Sequence, residues 1–138
     1  MEKQETSIGA VVINSKNEFL LLFQRKAQYW EFPKGHMEGQ EGELVTMARE
    51  VKEETGIRNY DLIKDFRQET SYSFERNDEK INKTTIFYLI RTDDPIEICI
   101  EHEKHLWTDY ETALRKVKYD SQRRVLKKAY EFISKLEK

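Results

Sequence analysis

Cysteine is nearly missing from this chain: Cys99 stands alone among 138 residues. No intramolecular disulfide can form, so packing and hydrogen bonds must hold the fold. Cys99 lies in the apolar run Ile96–Ile100, where a thiol packs as a small hydrophobe, and it is read as buried and inert. Long hydrophobic runs are also missing. The longest, Ile8–Ile13 and Phe19–Phe23, fall far short of the ~20 residues that cross a bilayer. The opening MEKQETS is polar and lacks a signal peptide's apolar segment, so a cytoplasmic protein without membrane association is expected. Neither sign of charge dominates: 24 Lys and Arg face 26 Asp and Glu, a net of -2. That balance excludes the dense basic surface of an indiscriminate duplex binder, and no stable nucleic-acid partner is expected. It also excludes a self-repelling disordered chain. No repeat, low-complexity stretch or glycine-rich linker interrupts the sequence.

What is present suits one domain over residues 1–138, with 38% hydrophobic and 12% aromatic residues to build a core. Ile8–Ile13 and Phe19–Phe23, joined by Asn14-Ser15-Lys16-Asn17, read as a hairpin. Trp30–Phe32 is a short strand stopped by Pro33. Residues 35–43, with three glycines among charges, read as a loop. Helical spacing begins near Glu43 and runs to Thr55, with Leu44, Ala48 and Val51 on one face and Gly56 as the stop. Strands are expected near Leu62–Phe74, Thr84–Arg91, Glu97–Ile100 and His105–Trp107, and a short helix over Asp109–Val117. Asp120 can cap a last helix, about 120–136, whose stripe is Val125, Ala129, Phe132 and Leu136. The pattern predicts an α/β fold, a mixed β-sheet flanked by helices.

Within the helix about 43–55, Glu50, Glu53 and Glu54 fall at i, i+3 and i+4, inside one third of the circumference. The apolar stripe points elsewhere, so the acids are expected to face outward. Like charges at this spacing repel by a few tenths of a kcal/mol per pair, and a cation between them reverses the sign. Hard oxygen ligands without neighbouring Cys or His suit Mg2+, with Mn2+ also possible. Standing alone, such a trio would be an ordinary solvated acidic face. Here a glycine-containing loop precedes it, Glu41 lies nine residues before Glu50, and Arg49 interrupts the acids.

The segment Gly35–Ile57 resembles the Nudix box: G, five residues, E, seven residues, R-E-aliphatic-x-E-E-x-G-aliphatic. Gly35, Glu41, Arg49, Glu50, Val51, Glu53, Glu54, Gly56 and Ile57 match without exception. Average residue usage puts a chance match below roughly one in a million. The resemblance implies the family's α/β/α sandwich and metal-dependent hydrolysis of a phosphoanhydride bond in a nucleoside polyphosphate. It implies metal ligation by Glu50, Glu53, Glu54 and the Gly35 carbonyl, catalytic roles for Glu53 and Glu54, and a structural brace of Glu41 and Arg49. One departure falls in the loop, where the common Pro-Gly before Glu41 is replaced by Gly39-Gln40.

The flanks narrow the resemblance. Trp30-Glu31-Phe32-Pro33-Lys34-Gly35-His36, Lys83-Thr84 before an aromatic strand, and Glu101-His102 leading to Trp107 are similar to the asymmetric diadenosine tetraphosphate hydrolase branch. The branch implies phosphate contacts for Lys34, His36 and Lys83, each of which is otherwise a solvated surface residue. It implies adenine stacking on Tyr72 and Tyr119, otherwise partial core. Glu101 resembles a further acid that binds metal or takes a proton from water, with Glu103 as a substitute. Trp30 and Trp107 are read as core.

A nucleoside triphosphate or RNA 5′-end pyrophosphohydrolase would use the same box. Arg115, Lys116, Lys118, Arg123 and Arg124 could favour RNA, or could simply lace a solvated surface. A non-catalytic nucleotide-binding regulator would be expected to lack one or more of the glutamates, and none is missing.

Overall fold

Ile8–Ile13 is apolar at every position, and a strand without alternation must be covered on both faces. The computed structural model, which describes residues 2–137, has that arrangement. Its elements run β1 (Glu2–Ile13), β2 (Phe19–Gln24), β3 (Tyr29–Glu31), β4 (Lys34–His36), α1 (Glu43–Thr55), β5 (Asp61–Leu62), β6 (Gln68–Arg76), β7 (Glu79–Arg91), β8 (His102–Thr108), α2 (Tyr110–Lys116) and α3 (Asp120–Leu136).

β1 and β7 are parallel in unbroken register from Glu2↔Lys80 to Ile13↔Arg91. β2, β3 and β8 extend the sheet antiparallel on one side, β5 and β6 pair with β7 on the other, and β4 pairs antiparallel with β1. Alternate residues of β1 serve two cores. Ile8, Ala10 and Val12 pack with Met47 and Val51 of α1. Val11 and Ile13 pack with Ala113 of α2 and with Val125, Leu126, Ala129 and Ile133 of α3. The fold is an α/β/α sandwich around a mixed sheet, as expected.

The hairpin forms with Ile13 opposite Phe19, its turn closed by Asn17 at φ 58. The ends of α1 and α3 fall at the expected residues, and Asp109 and Val117 cap α2 from outside it, but two apolar stripes are displaced. In α1 the buried face is Thr46, Met47, Val51, Glu54 and Thr55, while Leu44 is exposed. In α3 Leu136 is exposed and Ile133 takes the core position. Among the strands, Leu62–Phe74 divides into β5 and β6 around Asp65, whose φ is 70. Lys34–His36 is β4, where Gly35 and His36 had read as loop. Glu97–Ile100 is not a strand. Its amides go to the end of α1 instead, Glu97 N–H donating to Thr55 O (2.8 Å) and Cys99 N–H to Glu54 O (3.3 Å). Those helix carbonyls have no partner inside the helix, so a passing segment can satisfy them. Among the described residues no helix is long and apolar enough to cross a membrane.

Candidate active site

Gly9 lets two strands meet closely. A Cβ there would lie 2.4 Å from Pro33 O and 2.6 Å from Lys34 Cβ, so the side chain's absence seats β4 against β1. The next glycine, Gly35, faces α1. A Cβ on it would sit 2.0 Å from the Glu50 carboxyl carbon, so the acid fills the space a larger residue would take. The backbone of Lys34 and Gly35 is thereby laid along the acidic face of α1.

The three acids of that face have different surroundings. Glu53 is mostly exposed and Glu50 largely covered. Glu54 belongs to the buried face, 8% exposed, which corrects the expectation that all three point outward. Its Oε1 accepts the Lys34 N–H at 3.2 Å. Burial first, then the charges of Glu31 and Glu50, push the Glu54 carboxyl up to about 8 against the Lys34 hydrogen bond. Burial also raises Glu50, against the neighbouring Arg49.

Arg49 organises the loop before the helix. Its Nε and Nη2 donate to the two Glu41 oxygens at 2.8 and 2.9 Å, Nη2 also to His36 O at 2.9 Å, and Nη1 to Glu50 at 2.6 Å. Glu41 also accepts the Glu38 N–H and the Thr46 hydroxyl, both at 3.0 Å. Hydrogen bonds from Arg49 and the Glu38 backbone hold the Glu41 carboxyl down at about 2. Gly39 has φ 54, so glycine one place early still makes the left-handed turn.

These residues wall a cleft of about 500 Å³ that brings Gly35, Glu50, Glu53, Glu54 and Glu101 together with Lys34, His36 and Lys83. Glu101 arrives on a loop gripped by Arg25: its N–H donates to Glu101 O (2.8 Å), its Nε to Ile100 O (3.0 Å) and its Nη2 to His102 O (3.3 Å). Glu103 is not in the cleft; its carboxylate accepts from Gln28 at 3.0 Å. Cys99 is on the cleft wall, half-buried, and not sealed in the core as expected. Burial raises its thiol pKa, which leaves it protonated.

A second cleft, about 440 Å³, adjoins the first and shares Lys34 and Lys83 with it. Tyr72 and Tyr119 line it, both about half exposed, as stacking surfaces must be. Tyr29, not singled out from sequence, completes this aromatic wall; its ring is 5.5 Å from Tyr119 in edge-to-face geometry. Trp30 and Trp107 are partly buried and pack against the two cores. Of the five basic residues weighed for RNA, only Arg124 lines this cleft. Lys116 lies over Trp30 and Lys118 over Tyr29 and Tyr119, while Arg123 bonds Leu114 O.

Also unforeseen was a buried pair that includes Glu31, whose charge acts on Glu54. His102 Nε2 stands 2.9 Å from Glu31 Oε2, with His102 1% and Glu31 8% exposed. The two are 71 positions apart, and nothing local in the sequence joins them.

Among the described residues no three His, Cys, Asp or Glu side chains lie grouped at metal-binding separations. Arg49 is the counter-ion of Glu50 as the side chains stand. The donor chemistry of the cleft nonetheless fits a hard cation: carboxylates and a backbone carbonyl, with Glu50 and Glu54 both shifted up by burial.

The fold and this cleft agree with the comparisons to known proteins. The NUDIX domain family matches residues 3–129. The chain belongs to the Nudix hydrolase family. It is 32% identical over 126 residues to the asymmetrical bis(5′-nucleosyl)-tetraphosphatase of Mus musculus, covering 87% of this chain and 83% of that one. The protein of the same name from Rattus norvegicus is 31% identical over 128 residues, covering 88% and 84%. The crystal structure of a C. elegans Ap4A hydrolase binary complex superposes with a TM-score of 0.79 at 24% identity, covering 94% of this chain and 98% of that one.

Proposed function

We propose that the protein hydrolyses diadenosine tetraphosphate to ATP and AMP with Mg2+ as cofactor, Mn2+ serving as well. The observation that carries this reading is the junction of the acid-lined and tyrosine-lined clefts at Lys34 and Lys83. One cleft suits the reacting phosphates and the other a base several bonds away. The mouse and rat relatives, named for this activity, support the substrate.

In this reading Glu50, Glu53, Glu54 and the Gly35 carbonyl hold the cation, with Glu101 as a further ligand or as the group that takes a proton from water. A bound divalent cation neutralises phosphate oxygens and makes an attacking water more acidic. Water oxygen bonds to a phosphorus near one end of the chain, the phosphoanhydride P–O bond breaks, and the water proton passes to a carboxylate of Glu53, Glu54 or Glu101. Lys34, His36 and Lys83 line up the remaining phosphates as donors and point charges. Tyr72 and Tyr119 stack the adenine.

Incubation with Mg2+ and the dinucleotide, followed by chromatography, is expected to give equal ATP and AMP. Two ADP molecules, or no turnover, would remove the assignment. Arg124 at the second cleft favours one other reading, an RNA 5′-end or nucleoside triphosphate pyrophosphohydrolase. Competition between triphosphate-ended RNA, modified dGTP and the dinucleotide at equal concentration separates the two.

A further inference from the structure

His102 opens β8 and is 1% exposed, while Glu103 and Lys104 after it are exposed. Regular alternation would put His102 on the face of Lys104, in solvent. The register shifts where Gln24 and Phe23 of β2 meet His102 and Lys104, and the irregularity lets the imidazole turn inward. There Nε2 donates to Glu31, since a carboxylate can only accept, and Nδ1 is left facing Cys99 Sγ at 3.6 Å. Apolar side chains of similar volume are often no less stable than a buried pair of this kind, so stability alone does not account for it. What the pair holds is a turn. The His102 N–H donates to Cys99 O at 3.1 Å, closing four residues with Ile100 and Glu101 at the tip. The front of the turn is fastened to α1, where Cys99 N–H donates to Glu54 O. Its back is fastened by His102 to Glu31, at the end of the strand that leads through Pro33 to Lys34 and Gly35.

We infer that His102 is a positioning residue: locked by Glu31, it fixes the turn that carries Glu101 into the cleft of Glu50, Glu53 and Glu54. The inference rests on the reading of Glu101 as an acid of the reaction. Glu101 stands at an exposed tip, beside Ile100 at 85% exposed. A carboxylate on a free turn would sweep through solvent, and anchors on both sides of the tip confine it. Arg25 grips the same turn from an exposed position, through the carbonyls of Ile100, Glu101 and His102. His102 supplies the buried anchor. A reacting group displaced by about 1 Å loses roughly a hundredfold in rate, so the turn must be held to that tolerance.

Hydrogen exchange and a kinetic cycle test this together. His102→Leu should speed exchange of the amides at positions 99 and 102, while those of α1 stay slow. With Mg2+ and the dinucleotide, the same variant should lose roughly ten- to hundredfold in kcat with KM nearly unchanged. His102→Gln, whose amide can reach Glu31 with an N–H, should recover most of that loss. In a Glu101→Gln background His102→Leu should lower kcat little further, because a positioning residue acts through the group it positions. Equal losses in the two backgrounds overturn the inference, as does either unchanged exchange or full kcat in His102→Leu. If the unpaired Glu31 unfolds that variant, adding Glu31→Met removes both polar groups, and unchanged exchange in the double variant overturns the inference equally. Faster exchange in a protein that does not cleave the dinucleotide would uphold the anchor and remove the proposed reaction.

Discussion

A methyl group at Gly35 would collide with the Glu50 carboxylate at 2.0 Å, and the flexible acid would be the part to move. Gly35→Ala is therefore expected to leave the fold standing and displace a carboxylate that the proposed function assigns to the metal. A displacement of about 1 Å in a reacting constellation costs roughly a hundredfold in kcat/KM. Steady-state rates with a melting curve check this, and an active Gly35→Ala variant would show that Glu50 has no metal to hold. Glu54 is the second test at this scale. Its carboxyl, raised to about 8, is protonated in the metal-free protein at neutral pH, and an amide reproduces that form. Glu54→Gln should thus keep the metal-free melting temperature at pH 7 and lower kcat by roughly a hundredfold or more. Undiminished turnover would count against the metal assignment. Gly35, Glu50, Glu53 and Glu54 reach one cleft because the motif is local, within 23 positions. Glu31 and His102 were not legible as a buried pair. Their significance lies in burial and in partners that only the folded chain brings near.

The brace between the loop and α1 behaves as one unit, since Arg49 ties Glu41, the His36 carbonyl and Glu50 together. Glu41 supplies its acid-sensitive part. Its folded pKa, about 2, lies below the ordinary 4.5, so its contribution to stability is complete above about pH 4.5 and vanishes as the pH falls toward 2. Wild type should lose melting temperature across that window. Glu41→Gln should start lower at neutral pH and decline less steeply. Parallel declines in the two proteins would show that the pair is not what acid breaks. At this scale α1 was legible in its ends, because Gly56 has φ 78 and stops the helix. Its buried face was not, because Thr46, Glu54 and Thr55 go inward in place of an apolar residue such as Leu44. β6 escaped clear delimitation for a related reason. Its side chains are largely polar and exposed, and two left-handed residues, Asn77 and Asp78, join it to β7.

Over the whole molecule a mixed sheet flanked by helices was legible from the order of strands and helices, and its layering from the family resemblance; the structure covers both faces of Ile8–Ile13 in that way. The joining of two clefts was not, because it depends on α1 and α3 lying in different layers while β4 and β7 bring Lys34 and Lys83 between them. In the proposed function that arrangement separates base recognition from chemistry. Removing a stacking ring should weaken only ligands that carry a base. Tyr119→Ala is expected to forfeit about 1–3 kcal/mol, roughly five- to 150-fold in kcat/KM for the dinucleotide, mainly through KM. Inhibition by tripolyphosphate, which reaches the lysines and acids but has no base, should be unchanged. Lys83→Met should weaken both ligands, because Lys83 borders both clefts. If Tyr119→Ala also relieved tripolyphosphate inhibition, the two clefts would not be acting as separate subsites, and the dinucleotide would have to lie along the surface in some other way.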